Sequence, residues 1–66
     1  MRITVNGEVK EVAEGTTLGR LVDELGIGEK VMAAAVNMEI VKKERWHEHP
    51  LQEGDRVELL HFVGGG

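Results

Sequence analysis

The sequence predicts an α+β fold, a mixed sheet of four to five strands with one helix across one face. Three observations predict it. Apolar and polar residues alternate from Met1 to Asn6, a single amphipathic stripe follows at Leu18, Leu21, Val22 and Leu25, and further apolar runs separated by turn residues complete the chain. A lone helix with one apolar stripe must bury that stripe against a sheet face. The 66 residues make one domain, and a chain this short buries only about 60% of its unfolded surface. A pocket enclosing a substrate would consume much of so small a core. Size therefore favours a protein that binds or is acted upon over one that catalyses alone.

Each element follows from local pattern. Met1, Ile3 and Val5 alternate with Arg2, Thr4 and Asn6, the two-residue period of a half-buried strand. Asn6-Gly7 suits a two-residue type I′ turn, whose central residues both need positive φ. Glu8 to Val12 returns as a second strand, yet Val9 and Val12 stand three apart, so a bulge or an early end is expected. Glu14-Gly15 makes a loop and Thr16 or Thr17 caps the helix. Leu18, Leu21, Val22 and Leu25 fall at i, i+3, i+4 and i+7, with Arg20, Asp23 and Glu24 on the wet side. Gly26 stands where a left-handed residue ends a helix. Gly19, in the first turn, costs about 1 kcal/mol relative to alanine, which implies packing that wants no side chain there.

Val31 to Val36 is continuously small and apolar, which reads as a strand covered on both faces or nearly so, with Met32 as core filler. Asn37-Met38 turns the chain into a short strand, Glu39 to Lys42. Glu44 to Pro50 is polar and irregular, with Trp46 its only large apolar group, read as packed on the core. Glu53-Gly54-Asp55 is a turn, and Arg56 to Phe62 is the last strand. Val57 and Leu59 share its core face, which leaves Leu60 and Phe62 exposed. Large apolar groups in solvent are read as a partner-docking patch, together with Val63. The element order is β-β-α-β-β-β. By analogy, the two terminal strands lie parallel in the middle of the sheet, the ubiquitin-like β-grasp arrangement. Residues 1–62 form this domain and residues 63–66 a flexible glycine-rich tail.

Composition excludes several function classes. With no cysteine, neither disulfides nor a protein thiol nucleophile is available. Twelve acids against eight bases give a net charge of −4, which disfavours nucleic acid and suits a basic protein surface. Lys42, Lys43 and Arg45 form one local basic cluster, read as a solvated edge or a minor partner contact. His47 and His49 stand two residues apart with His61 distant, too few ligands for a zinc site, so no metal is expected. Asp23 and Glu24 are neighbours on a helix and point in different directions, which argues against an acid–base pair. No leader segment or long apolar run is recognisable, so a cytoplasmic location and no membrane partner are expected.

The sequence closes on Val63-Gly64-Gly65-Gly66. Three residues without side chains make a thin arm that can enter a narrow channel, carrying a carboxylate that nothing shields. The residues alone leave two readings open, a disordered end and a chemical handle. Other motifs accompany the tail: Met1-Arg2-Ile3-Thr4-Val5-Asn6-Gly7-Glu8, Gly15-Thr16-Thr17-Leu18, Ala35-Val36-Asn37, Ile40-Val41, Trp46, Leu51 and Gly54-Asp55-Arg56-Val57-Glu58. Over nearly its whole length the chain resembles the ThiS family, the sulfur carriers of thiamine biosynthesis. It departs at Lys42-Lys43, where members often have Pro-Arg.

The resemblance implies a mechanism in which the protein is a cosubstrate and no enzyme. A partner adenylyltransferase (ThiF-like) uses ATP to convert the Gly66 carboxylate to an acyl-adenylate, and a sulfur donor protein then yields a thiocarboxylate. Thiazole synthase (ThiG-like) takes the sulfur into the thiazole ring. Gly66 bears the modification, Gly64 and Gly65 serve tail recognition, and the carrier itself binds no cofactor. Three alternatives stand beside this one: a carrier of the molybdopterin-synthase small-subunit type, a ubiquitin-like modifier joined through Gly66 to lysines, and an adaptor whose tail has no chemistry.

Overall fold

The computed structural model describes residues 1–61. Five strands and one α-helix follow the predicted order: β1 (Arg2–Val5), β2 (Glu8–Glu11), α1 (Leu18–Leu25), β3 (Val31–Val36), β4 (Glu39–Val41) and β5 (Arg56–His61). Two short 3-10 segments, Gly28–Lys30 and Lys43–Glu48, lead into β3 and follow β4. The sheet order is β2-β1-β5-β3-β4. The terminal strands β1 and β5 are parallel neighbours at its centre, and the other pairings are antiparallel.

Local chemistry explains the boundaries. Asn6 (φ 48°) and Gly7 (φ 86°) form the β1–β2 turn, both in the left-handed region that a two-residue hairpin demands. The register pairs Arg2 with Glu11 and Val5 with Glu8 without a shift, so the broken alternation marks an early end of β2 and no bulge. Past the end of β2, Val12 still donates to the Met1 carbonyl at 2.8 Å and accepts from the Met1 ammonium at 2.6 Å. Its side chain packs against the core edge. Of the two candidate caps Thr17 is the one used: its hydroxyl accepts from the Arg20 N–H at 3.1 Å. Gly26 ends α1 at φ 72°, its N–H donating to the Asp23 carbonyl at 3.1 Å.

The helix lays Leu18, Leu21 and Val22 across one face of the sheet, against Ile3, Val5, Val31, Ala34, Val36, Val57 and Leu59. All of these are buried, and apolar burial at roughly 25 cal/mol per Å² is what holds so small a domain together. Leu51 and Trp46 close the core. Trp46 is buried, its indole N–H donating to the Val41 carbonyl at 2.9 Å, with the Lys43 ammonium 5.7 Å from the ring centre. The segment expected to be irregular is thus a 3-10 turn that carries an aromatic plug. Trp46→Phe keeps the aromatic bulk and leaves the Val41 carbonyl without that donor. It should cost about 1–2 kcal/mol in a denaturant melt; no loss at all would show that the indole hydrogen bond is immaterial.

Gly19 meets the expected crowding. A β-carbon built there would lie 2.6 Å from Cγ and 2.7 Å from Cε1 of His47, whose imidazole lies over the helix at this point. The His47 Nε2 also stands 3.7 Å from the Asp23 carboxylate, a solvent-exposed pair of little energetic weight.

Two expectations need correction. Strand β3 is covered on one face only: Val31, Ala34 and Val36 are buried, whereas Met32 is exposed and Ala33 and Ala35 are half-buried on the open side. Met32 is therefore no core filler. It sits where the β3–β5 register shifts between Val31 and Ala33, which turns its side chain out of the core. The short strand also ends one residue early, at Val41.

Candidate functional site

Strand β5 carries the chain toward Gly66, so what holds β5 and what it exposes define the site. Alternation along it is strict: Val57 and Leu59 are buried, while Arg56, Glu58 and Leu60 are exposed. The expected division of faces is thus correct as far as His61. Phe62, Val63, Gly64, Gly65 and Gly66 lie outside the described residues.

The open face extends the patch beyond Leu60. Cross-strand partners share a face, and the register sets Leu60 opposite Ala33, Glu58 opposite Ala35, and Ala35 opposite Ile40. Leu60 is 61% exposed and Ile40 is 73% exposed. Between them the two alanines form a floor, so that Asn6, Ala33, Ala35, Ile40, Glu58 and Leu60 line a shallow groove of about 280 Å³. Leu60 and Ile40 over a small-residue floor can receive an apolar side chain of a partner, with Glu58 and Asn6 supplying polar groups at the same groove. Ile40 and the alanine floor escaped the sequence reading. Their signal was present in the Ala-X-Ala spacing of β3, but it was read as a doubly covered strand.

Two asparagines fasten β5 from either side. The Asn6 carboxamide accepts from the Leu59 N–H at 2.8 Å and donates to the Leu59 carbonyl at 3.2 Å. Asn37, at φ 51° in the β3–β4 turn, accepts from the Arg56 N–H at 3.0 Å and donates to the Asp55 carboxylate at 2.9 Å. Asp55 in turn accepts from the Gln52 N–H at 2.8 Å, closing the turn before β5. Both hairpin turns therefore do a second job, fixing the central strand by side chain where the backbone ladder stops.

The remaining polar groups form no competing site. Lys42, Lys43 and Arg45 are exposed, and Arg45 pairs with Glu48 at 3.1 Å. His47 and His49 stand in and beside the 3-10 turn, and His61 ends β5. Among the described residues, no group of three or more His, Cys, Asp or Glu side chains could hold a metal ion. No helix among them is long and apolar enough to cross a membrane.

Five mixed strands, central parallel termini, one helix on a single face and an open apolar face beside the last strand define a β-grasp protein of the ubiquitin-like kind. The ThiS family model matches residues 3–66. The chain is 33% identical over 66 residues to the Sulfur carrier protein ThiS of Escherichia coli K12, covering all of both chains. Among solved structures, the thiamine biosynthesis protein (ThiS) of Geobacter metallireducens superimposes with a TM-score of 0.81 at 34% identity, again over all of both chains. The chain belongs to the ThiS family. It is also 33% identical to a Thiazole synthase of Paramagnetospirillum magneticum, where the match takes in all of this chain and spans one fifth (20%) of that longer relative.

Proposed function

We propose that this protein is a sulfur carrier: its Gly66 carboxylate is adenylated, converted to a thiocarboxylate, and spent as a sulfur source in forming the thiazole of thiamine. The observation that carries the reading is the end-to-end likeness to a named sulfur carrier, with the family match running through residue 66. The β-grasp core and the apolar groove beside β5 support it, since an enzyme acting on the tail needs a surface to grip.

The chemistry explains why a folded domain should end in glycines. A carboxylate is a poor electrophile, because attack pushes further charge onto its oxygens. An adenylyltransferase joins one carboxylate oxygen to the α-phosphorus of ATP and releases pyrophosphate. AMP is then a good leaving group, and one hard step becomes two easier ones. A sulfur nucleophile at the oxidation level of sulfide adds to the carbonyl carbon, the bond to AMP breaks, and a thiocarboxylate remains. The carrier lends neither acid nor base to these steps. It lends an unhindered acyl group on an arm, with Gly64 and Gly65 letting the partner's backbone close around it.

Thiazole synthase is the natural recipient. In the Paramagnetospirillum magneticum protein a segment like this whole chain is covalently part of a Thiazole synthase, and joining two modules raises the effective concentration of each for the other. The docking surface for the adenylyltransferase is Leu60 and Ile40 with Phe62 and Val63. The net charge of −4 suits a basic ring around the partner's groove. Incubation with the purified cognate adenylyltransferase and ATP should release pyrophosphate, or exchange labelled pyrophosphate into ATP, in proportion to carrier. Covalent attachment to lysines of other proteins would instead favour a modifier.

A further inference from the structure

We infer that Asn6 is a positioning residue for this reaction: its carboxamide is a latch that fixes where the C-terminal arm leaves the sheet. The inference rests on the carrier reading. The backbone ladder between β1 and β5 is short, pairing only Thr4 with Arg56 and Val5 with Val57. The Asn6 N–H extends it by one bond to the Val57 carbonyl at 2.9 Å, after which β1 turns away through Gly7. Beyond that point the Asn6 side chain replaces the missing strand. It supplies one acceptor and one donor to the two backbone groups of Leu59, at 2.8 and 3.2 Å, as a neighbouring peptide would.

The turn itself does not require this side chain. Asp-Gly and Gly-Gly form type I′ turns as Asn-Gly does, but of these three only asparagine offers a donor and an acceptor together. Aspartate would set a second oxygen against the Leu59 carbonyl, and glycine would offer nothing. The latch acts seven residues before Gly66, at the root of the arm and on the rim of the apolar groove that Asn6 also lines. A root held in place spares the partner the cost of ordering it.

Asn6→Gly and Asn6→Asp separate the latch from the turn. Both should stay folded, with the Val57 amide still protected from hydrogen exchange; in Asn6→Gly, which offers no acceptor, the Leu59 amide should exchange about tenfold faster or more. In pyrophosphate release by the cognate adenylyltransferase, both should raise the KM for carrier about tenfold and leave kcat within about twofold, the pattern of lost ground-state organisation. An unchanged KM with a freely exchanging Leu59 amide would reduce Asn6 to a structural role and overturn the inference. A Leu59 amide still protected in Asn6→Gly would overturn it as well. Failure of the wild-type chain to support any pyrophosphate release overturns the carrier reading and this inference with it, whereas an active wild type with indifferent variants overturns the inference alone.

Discussion

A carrier lengthened by one residue after Gly66 should form no acyl-adenylate, while its melting temperature and hydrogen-exchange pattern match those of the parent. The reacting group in this account is the Gly66 α-carboxylate, and an added residue turns it into an amide carbonyl. An amide has no free oxygen to give to the α-phosphorus of ATP. The new carboxylate is also displaced by about 3.3–3.6 Å, one extended residue. Misplacement of a reacting atom by even about 1 Å can cost on the order of 100-fold in rate, so displacement alone should reduce turnover below detection. Among the described residues the core ends at Leu59, seven positions before Gly66, so stability is expected to stay unchanged. Removal of Gly66 should be equally inactive, because Gly65 then falls short of the nucleotide. Ordinary pyrophosphate release by the lengthened chain would show that the Gly66 carboxylate is not the reacting group.

The second large effect separates neighbours on one strand. Leu60→Asp should weaken binding to the adenylyltransferase by roughly 10- to 100-fold, the range of a residue central to an interface, while shifting stability by no more than about 0.5 kcal/mol. Ile40→Asp, across the alanine floor, should behave in the same way. Leu59→Asp should do the opposite. It places a carboxylate among Ile3, Leu21 and Val57 in the core, a change expected to cost about 4 kcal/mol or more. A domain of this size holds roughly 3–10 kcal/mol in total, so that variant should be largely unfolded. Calorimetry or surface-plasmon binding with thermal melts of the three variants decides the matter. A Leu60→Asp protein that melts early and binds normally would mean that the open face is not the docking surface.

These contrasts also show what the residues could tell in advance and why. Strand β1, helix α1 and strand β5 were legible because each carries large apolar side chains at a fixed period, and burial follows that period. Their ends were legible wherever a cap or turn residue has a specific conformational task, as at Thr17, Gly26 and Asn6-Gly7. Strand β3 misled because alanine packs on a core and lies on an open face with similar ease, so Ala33 and Ala35 give no contrast with Ala34. The shift at Met32 broke the period as well. Three residues of β4 are too few to show alternation, which concealed Ile40 as the partner of Leu60 across the sheet. Strand order was not readable from local pattern at all, since nothing local says that β1 and β5 are neighbours; it came from analogy with a known fold of this element order. The side-chain bonds of Asn6 and Asn37 to β5 were invisible for the same reason, being contacts between distant parts of the chain. Of the site itself, Leu60 was legible from alternation, whereas its groove required the register.

The most direct test of the carrier function is the intact mass of the protein after incubation with its adenylyltransferase, ATP and a source of sulfide-level sulfur. The account predicts a product heavier by the difference between one sulfur and one oxygen, located by fragmentation at Gly66 and lost again when thiazole synthase and its other substrates are added. A mass that stays unchanged under conditions in which the same adenylyltransferase demonstrably activates another carrier would contradict it.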